Sequence, residues 1–190
     1  MALKLFRSTG YSSILTPGET RLAMHPGWMV LAVSLWIGFV ANVALWRVLS
    51  GNDRATSLAH VLVLGAAVAA AAALILSVLG WRRTMKPAAI LLLLLSALVA
   101  CVVWSRAYPV DATLLERPPA SLLLPSWASL LRWQVSGALA GLALVPAIWV
   151  WQKQVRRLAG GDQLRFNVAG AIAGAVLFGA ARWLLAKGIV

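Results

Sequence analysis

Asp111 and Glu116 are the first candidates for chemistry, because they are two carboxylates five residues apart in one polar segment. Two carboxyl groups that converge can act as a general acid and a general base. Arg106 and Arg117 flank them, and we interpret the two acids as loop charges that pair loosely with these arginines. The sequence shows no set of serine, histidine and aspartate, no phosphate-binding glycine loop and no histidine pair. It therefore predicts no catalytic residue.

Metal and redox chemistry need clustered ligands, and the sequence contains only one cysteine and two histidines. A metal site normally needs three or four ligands. His25 and His60 lie far apart without acidic or thiol companions, and Cys101 lies inside an apolar run. We expect no metal and no cofactor, and we expect Cys101 to be a small packing residue.

The composition of the chain indicates which solvent surrounds these residues. Of 190 residues, 62% are hydrophobic, and the mean hydropathy is +0.86. A soluble domain of this length could not bury so much apolar surface. A bilayer needs roughly 20 apolar residues per helical span. The sequence predicts an all-α polytopic membrane protein with spans at about 28–49, 57–80, 88–107, 134–152 and 166–186.

Two segments lie outside these predicted spans. Residues 1–27 are mixed and polar, and we interpret them as a cytoplasmic tail. The outer segment 108–133 contains SLLLPSWASLLRW, in which Leu123, Trp127 and neighbouring leucines share one helical face. This pattern predicts an amphipathic helix that lies in the membrane interface on the periplasmic side.

The charges of the chain predict its orientation rather than a soluble partner. The formal net charge is +12, from 17 Lys and Arg against 5 Asp and Glu. These cations stand singly or in small groups at the ends of apolar runs, which does not favour nucleic acid. An inner N-terminus places ten of the 17 cations inside, including both basic links, 81–87 and 153–165. The sequence thus predicts a cytoplasmic N-terminus and a periplasmic C-terminus.

Polar side chains within the spans are sparse, and Asn42 and Asn167 are the most informative. An amide in a membrane usually bonds to another helix, and we expect that structural role for both. Contact with a lipid headgroup is the functional alternative, because both residues lie near the ends of predicted spans.

Two pairs of glycines recur at the spacing that allows helices to approach closely. The fourth predicted span contains Gly137 and Gly141, and the fifth contains Gly170 and Gly174. We expect both pairs to pack against other helices of the same chain. A dimer interface remains the alternative.

Several segments taken together resemble a known family. They are Asn42 in FVANVALWRVL, His60 in LAHVLVL, the link and span MKPAAILLLLLSALVA, and Tyr108-Pro109-Val110-Asp111 followed by Leu114-Leu115. In order and spacing, residues 28–187 resemble the N-terminal membrane domain of the lipid A phosphoethanolamine transferases.

The resemblance implies a lipid-binding role. Full enzymes of that family hold phosphatidylethanolamine and anchor a periplasmic hydrolase-like domain with a threonine nucleophile and zinc. The sequence ends at Val190, just after the fifth predicted span, so we expect that domain to be absent and carry over no nucleophile or zinc ligand. Asp111 matches the family's aspartate and Glu116 its glutamate, whereas its polar Asn and Thr have no counterpart. Asn42, Asp111 and Glu116 are the candidate lipid-binding residues.

The sequence leaves three functional hypotheses open. The first is a non-catalytic protein of the bacterial inner membrane that binds lipid, such as phosphatidylethanolamine, or a partner protein. The second is a small accessory subunit of a larger membrane complex. The third is the membrane half of a split phosphoethanolamine transferase, which works with a separate periplasmic catalytic domain. None of the three includes nucleic acid as a partner.

Overall fold

The computed structural model describes residues 23–51, 56–81, 83–108, 118–123, 132–156 and 160–187. Within these ranges the regular secondary structure is helical, apart from one isolated bridge between Met24 and Val155. The helices are α1 (Pro26–Leu35), α2 (Val43–Leu49), α3 (Leu58–Leu79), α4 (Met85–Ser105), α5 (Pro119–Leu123), α6 (Trp133–Leu139), α7 (Val145–Gln152) and α8 (Gly160–Ala186). Two π-helical turns, Trp36–Val40 and Ala140–Leu144, follow α1 and α6.

Four of these helices are long and apolar enough to cross a membrane: α3, α4, α8 and the continuous element Trp133–Gln152. Pro26–Val40 and Val43–Leu49 together pass the same test, but they are bent by 51° relative to each other. The described part of the chain therefore has four such helices, or five if the bent pair is one span. The prediction of an all-α protein with several helices able to span a membrane is confirmed.

The helices α3, α4 and Trp133–Gln152 contain most of the apolar runs 57–80, 88–107 and 134–152, and α8 is longer than the apolar run within it. The helix α8 begins at Gly160, whereas its apolar run was predicted to begin at 166. Polar residues extend the helix at this end, and Asp162 lies in the first turn. An acidic side chain there is favourable because it faces the positive end of the helix dipole.

The predicted interfacial helix falls largely outside the described residues. In the predicted outer segment 108–133, the structure describes the short helix α5 but neither 109–117 nor 124–131. The predictions made for the tail at 1–22 also lie outside the described ranges. The predicted amphipathic face, with Trp127, is therefore not described.

The helix α3 packs against its neighbours through small residues on two sides. We call the bent pair Pro26–Val40 and Val43–Leu49 the first element. A Cβ atom added at Gly38 would overlap the carbonyl oxygen of Gly65, so the first element and α3 meet backbone to backbone. On another side, a Cβ added at Gly174 would lie 3.0 Å from the Leu74 amide and 3.1 Å from the Ala70 carbonyl. Between helices surrounded by lipid, whose tails are as apolar as leucine, close packing of this kind takes the place that hydrophobic burial has in water.

The largest fully buried apolar side chains join four helices into one core. They come from α1, α3, α4 and α7, and they include Met29, Leu76, Leu93 and Val150. By contrast, only 11% of the most apolar part of α8 is buried. The core therefore fixes α1, α3, α4 and α7 relative to one another, while α8 presents most of its surface outward.

Hydrogen bonds near the ends of the helices show which helix ends lie side by side. One end of the bundle, which we call the link end, contains the start of α1, the end of α3, the start of α4, the end of α7 and the start of α8. Four bonds define it: Met24 N to Gln154 O (2.8 Å), Arg156 N to Met24 O (2.9 Å), Lys86 Nζ to Trp151 O (3.0 Å) and Gln163 Nε2 to Gly80 O (2.9 Å).

The opposite end of the bundle is defined by Arg47, which lies in the last turn of α2. Its guanidinium donates to the carbonyl oxygens of Tyr108 at 2.6 Å and Val103 at 2.8 Å. Both acceptors lie at the end of α4, whose start is at the link end. The first element is thus bonded to the rest of the fold at both ends of the bundle, through Met24 at the link end and through Arg47 at the opposite end.

Candidate functional site: a tryptophan-lined cavity

An open cavity of about 810 Å³ lies toward the opposite end, where three elements diverge. We call it the tryptophan cavity, because Trp36, Trp46 and Trp104 contribute to its walls. The remaining lining comes from Val40, Ala41, Val43, Ala100, Cys101, Ser105, Arg106, Arg132, Gln134, Val135, Ala138, Gly141 and Leu142. The cavity therefore combines apolar and aromatic walls with two arginines.

A break in the first element opens one wall of this cavity. Helical bonding stops at Ala41, and Asn42 begins α2 with its Oδ1 accepting from the Leu45 amide at 3.3 Å. The break frees the carbonyl of Val40, which accepts a hydrogen bond of 2.9 Å from Trp46 Nε1. This bond is exposed on the surface of the described structure. Because backbone groups that face lipid must find partners within the protein, the Trp46 indole is suited to stabilise the break.

The facing wall has an irregularity of its own, caused by Pro146. Proline has no N–H, so the Leu142 carbonyl four residues earlier has no α-helical donor. The π-helical turn Ala140–Leu144 precedes this proline, as is common where a helix is disturbed. Trp36 Nε1 donates to the Leu142 oxygen at 3.1 Å. One indole thus links the two disturbed elements across the cavity.

The end of α4 forms the third wall and is held by backbone geometry. Ala107 has a φ of 51°, and the Tyr108 amide returns to the Val103 carbonyl at 3.2 Å. This is the left-handed termination that usually favours glycine. Arg106 precedes it, donates from Nη1 to the Tyr108 hydroxyl at 3.0 Å and lies 5.9 Å from the ring centre.

The charged groups of the cavity lie where helices begin or end. Arg106 follows the last residue of α4, and Arg132 precedes the first residue of α6. The Arg132 side chain is exposed, and it makes no hydrogen bond or ion pair with the described residues. Gln134 lies beside it in the lining. No acidic side chain belongs to the described lining, so its charge is positive.

The three candidate lipid-binding residues from the sequence are not brought together by the described structure. Asn42 lies against α3 rather than in the cavity wall, and its Nδ2 is buried without a hydrogen-bond partner among the described residues. A Cβ added at Gly65 would lie 3.1 Å from that nitrogen. Asp111 and Glu116 lie outside the described residues.

Asn167, the other polar span residue, belongs to a different part of the fold. It is buried at the link end, where its Nδ2 donates to the Gly80 carbonyl at 3.3 Å and its Oδ1 accepts from Gln163 at 2.9 Å. Gly80 follows the last residue of α3. Asn167 therefore binds the end of another helix, far from the tryptophan cavity.

The two glycine pairs also differ in their surroundings. A Cβ added at Gly170 would lie 2.5 Å from Ser77 Oγ, and Gly174 contacts the α3 backbone. A Cβ added at Gly137 or Gly141 would meet nothing within 4 Å in the described structure. Gly141 instead lines the cavity. The pair on α8 thus packs within the chain, and the structure shows no such contact for the other pair.

The histidines and the cysteine occupy separate places. His25 caps α1 by accepting from the Gly27 amide at 3.1 Å, and its ring meets Phe166 edge-on, with 5.1 Å between centroids. Cys101 lies in the cavity wall. In the described ranges, no group of three or more His, Cys, Asp or Glu side chains could hold a metal.

Models of known protein families, curated proteins and solved structures were compared with the chain. None matched. The interpretation of the cavity therefore rests on its geometry and charge.

Sequence reasoning missed Trp36 and Arg132 as residues of the site. The signal for Trp36 was present, because it was the one tryptophan in the middle of a predicted span, where an indole N–H needs an acceptor. Pro146 supplied the second half of that signal by freeing the Leu142 carbonyl. For Arg132, the sequence gave only its position at a span end, which is typical of many interfacial arginines.

Proposed function

We propose that the chain forms a five-span domain in the bacterial inner membrane and binds a phospholipid in the tryptophan cavity. Five crossings are supported by the bonds of the first element. Met24 is bonded to the end of α7 at the link end, whereas Arg47 is bonded to the end of α4 at the opposite end. An element attached at both ends of its neighbour crosses the membrane with it. The 51° bend is then a break within one span.

The orientation proposed from the sequence places the link end in the cytoplasm. Both basic links reach this end, and the described cations there are Arg83, Lys86, Lys153, Arg156 and Arg165. Cytoplasmic segments of membrane proteins carry an excess of lysine and arginine. The tryptophan cavity then opens toward the periplasmic leaflet, and α8 ends on that side.

One observation supports the lipid most strongly, namely that apolar walls and cationic groups occur in the same cavity. A phospholipid has the matching parts, an acyl chain and a phosphate. Binding cavities for small molecules typically measure about 300–1,000 Å³ and carry few polar groups on apolar walls. The volume of about 810 Å³ falls in that range.

The resemblance to the phosphoethanolamine transferases supports the same function. It implies phosphatidylethanolamine as the lipid, and it keeps Asn42, Asp111 and Glu116 as predictions. We assign no catalytic step to the described residues, since their cavity contains no nucleophile paired with a base. In this proposal the domain holds lipid, and any transfer reaction belongs to a separate periplasmic domain.

A cavity-filling variant tests lipid binding. Ala138 lines the cavity and is exposed, so Ala138→Trp should fill part of it without displacing the core. Ala175→Trp on the exposed face of α8 is the matched control. After extraction in mild detergent, mass spectrometry should find bound phospholipid on the wild type and on Ala175→Trp, and much less on Ala138→Trp. Equal retention by all three proteins would contradict the proposal.

The exposure of α8 favours one competing hypothesis, that of an accessory subunit. A subunit of a larger complex would have its exposed apolar face covered by another chain. A photoreactive amino acid in place of Ala175 can be crosslinked in native membranes, and the crosslinked chains can then be identified. This experiment distinguishes the lipid-binding protein from the accessory subunit. A stoichiometric protein crosslink, without lipid retained in the cavity, would favour the accessory subunit. A partner with a soluble periplasmic catalytic domain would favour the split transferase.

A further inference from the structure

The charge of the tryptophan cavity bears on which headgroup it accepts. The described lining contains Arg106 and Arg132 but no carboxylate. Among all described residues the only acid is Asp162, which lies in the first turn of α8 at the link end. The described site therefore offers donors for a phosphate and no acceptor of opposite charge for an ammonium group.

The three arginines near this end have different surroundings, and these indicate which one meets the headgroup. Arg47 is used structurally, because its guanidinium binds the carbonyls of Val103 and Tyr108. Arg106 donates to the Tyr108 hydroxyl and lies over its ring. The Arg132 side chain is exposed at the cavity, and its guanidinium makes no hydrogen bond or ion pair with the described residues. Its guanidinium can therefore turn toward a bound ligand.

We infer that the tryptophan cavity selects a phospholipid of net negative charge over a zwitterionic one, with Arg132 at the phosphate. This inference rests on the proposed lipid-binding function, and it replaces the phosphatidylethanolamine that the resemblance implies with an anionic phospholipid. Guanidinium groups bind phosphate through paired, charge-assisted hydrogen bonds. A zwitterionic headgroup adds an ammonium, which the Arg132 guanidinium repels, whereas it does not repel an uncharged or anionic substituent. The lipid lies with its phosphate at Arg132 and Gln134 and its acyl chain between Trp36 and α6.

An interfacial arginine also attracts anionic lipids without any specific site. The distinction lies in the cavity, since a specific site needs both the charge and the space beside it. Arg182 is a suitable comparison, because it is exposed near the periplasmic end of α8 and does not line the cavity. Its removal changes the net charge by the same amount as the removal of Arg132.

A competition experiment with the full chain tests the inference. The purified protein is given an equimolar mixture of phosphatidylglycerol and phosphatidylethanolamine with identical acyl chains, and native mass spectrometry counts each bound lipid. We expect phosphatidylglycerol to be enriched about threefold or more on the wild type and on Arg182→Gln. On Arg132→Gln the enrichment should disappear. Ala138→Trp should bind little of either lipid.

Different contrary results would overturn the headgroup inference and the proposed lipid-binding function. If the wild type binds neither lipid above Ala138→Trp, the proposed lipid-binding function is overturned. If phosphatidylethanolamine binds equally well or better, lipid binding stands and the headgroup inference is overturned. Loss of that binding in Asp111→Asn or Glu116→Gln would then identify the acid that receives the ammonium. Equal losses of enrichment in Arg132→Gln and Arg182→Gln would also overturn the headgroup inference, because they would show that general surface charge attracts the anionic lipid.

Discussion

Two glycine pairs with the same spacing have opposite surroundings in this protein. Gly170 and Gly174 on α8 lie against α3, whereas Gly137 on α6 and Gly141 in the π-helical turn after it face open space in the described structure. The difference lies in the neighbouring helix. The helix α3 presents alanines and a serine, which let α8 approach closely. The helix α6 instead faces the broken first element, and the tryptophan cavity lies between the two. Spacing selects a helix face, and the partner's shape decides whether that face is packed or borders a cavity.

The largest effect should come from adding bulk to the packed glycine. Gly174→Val places two methyl groups beyond a Cβ that already lies 3.0 Å from the α3 backbone. We expect a loss of about 2–3 kcal/mol in the free energy of unfolding, as in overpacked cores. The check is the unfolding midpoint in mild detergent, measured for Gly174→Val and Gly141→Val. The latter should stay within about 0.5 kcal/mol of the wild type, because its site is open. Equal losses in both variants would contradict the distinction.

An intermediate effect should come from the indole that links the two disturbed elements. Trp36→Phe removes the donor to the Leu142 carbonyl and keeps most of the ring. We expect a loss of about 1 kcal/mol, since hydrogen bonds between membrane helices contribute modestly. Trp104→Phe is the matched control, because its indole makes no hydrogen bond with the described residues and lies in the same cavity. The same detergent unfolding assay measures both, and an unchanged Trp36→Phe would show that the link contributes nothing.

The smallest effect separates glycines needed for space from glycines needed for conformation. Gly51 has a φ of 73° with nothing within 4 Å of an added Cβ. Gly51→Ala should therefore destabilise the protein by about 0.5–1 kcal/mol through backbone strain alone. Ala107→Gly should stabilise it by a similar amount of about 0.5–1 kcal/mol, because Ala107 has a φ of 51°. Unfolding midpoints that move in the opposite directions would contradict this reasoning.

The spans could be predicted from sequence because a bilayer requires long apolar helices whatever their partners are. The break at Ala41–Asn42 could not, since no proline marks it and the surrounding contacts, Gly38 against α3 and Trp46 with the Val40 carbonyl, come from the fold. Asn42 was expected to bond to another helix, yet its Oδ1 caps its own helix. A cap needs only a local amide, whereas a bond across the interface also depends on helix rotation, which hydropathy does not specify.

The site was harder to predict than the spans because it lies between elements. Arg132 and Trp36 are about one hundred positions apart, and only the fold brings them to one cavity. Asp111 and Glu116, chosen from the family resemblance, lie outside the described residues and stay predictions. The glycine pair on α8 was chosen on spacing alone, and it packs because α3 presents small residues to it.

Crosslinking with a photoactivatable phospholipid tests the central claim most directly. The reactive group is placed on the acyl chain near the glycerol, and the crosslinked peptides are identified after reconstitution of the full chain into bilayers. Binding in the tryptophan cavity predicts crosslinks concentrated in residues 36–46, 100–106 and 132–142, and their loss in Ala138→Trp. Crosslinks spread evenly along the exposed face of α8, with none gained in the cavity, would contradict the claim that this cavity is a lipid site.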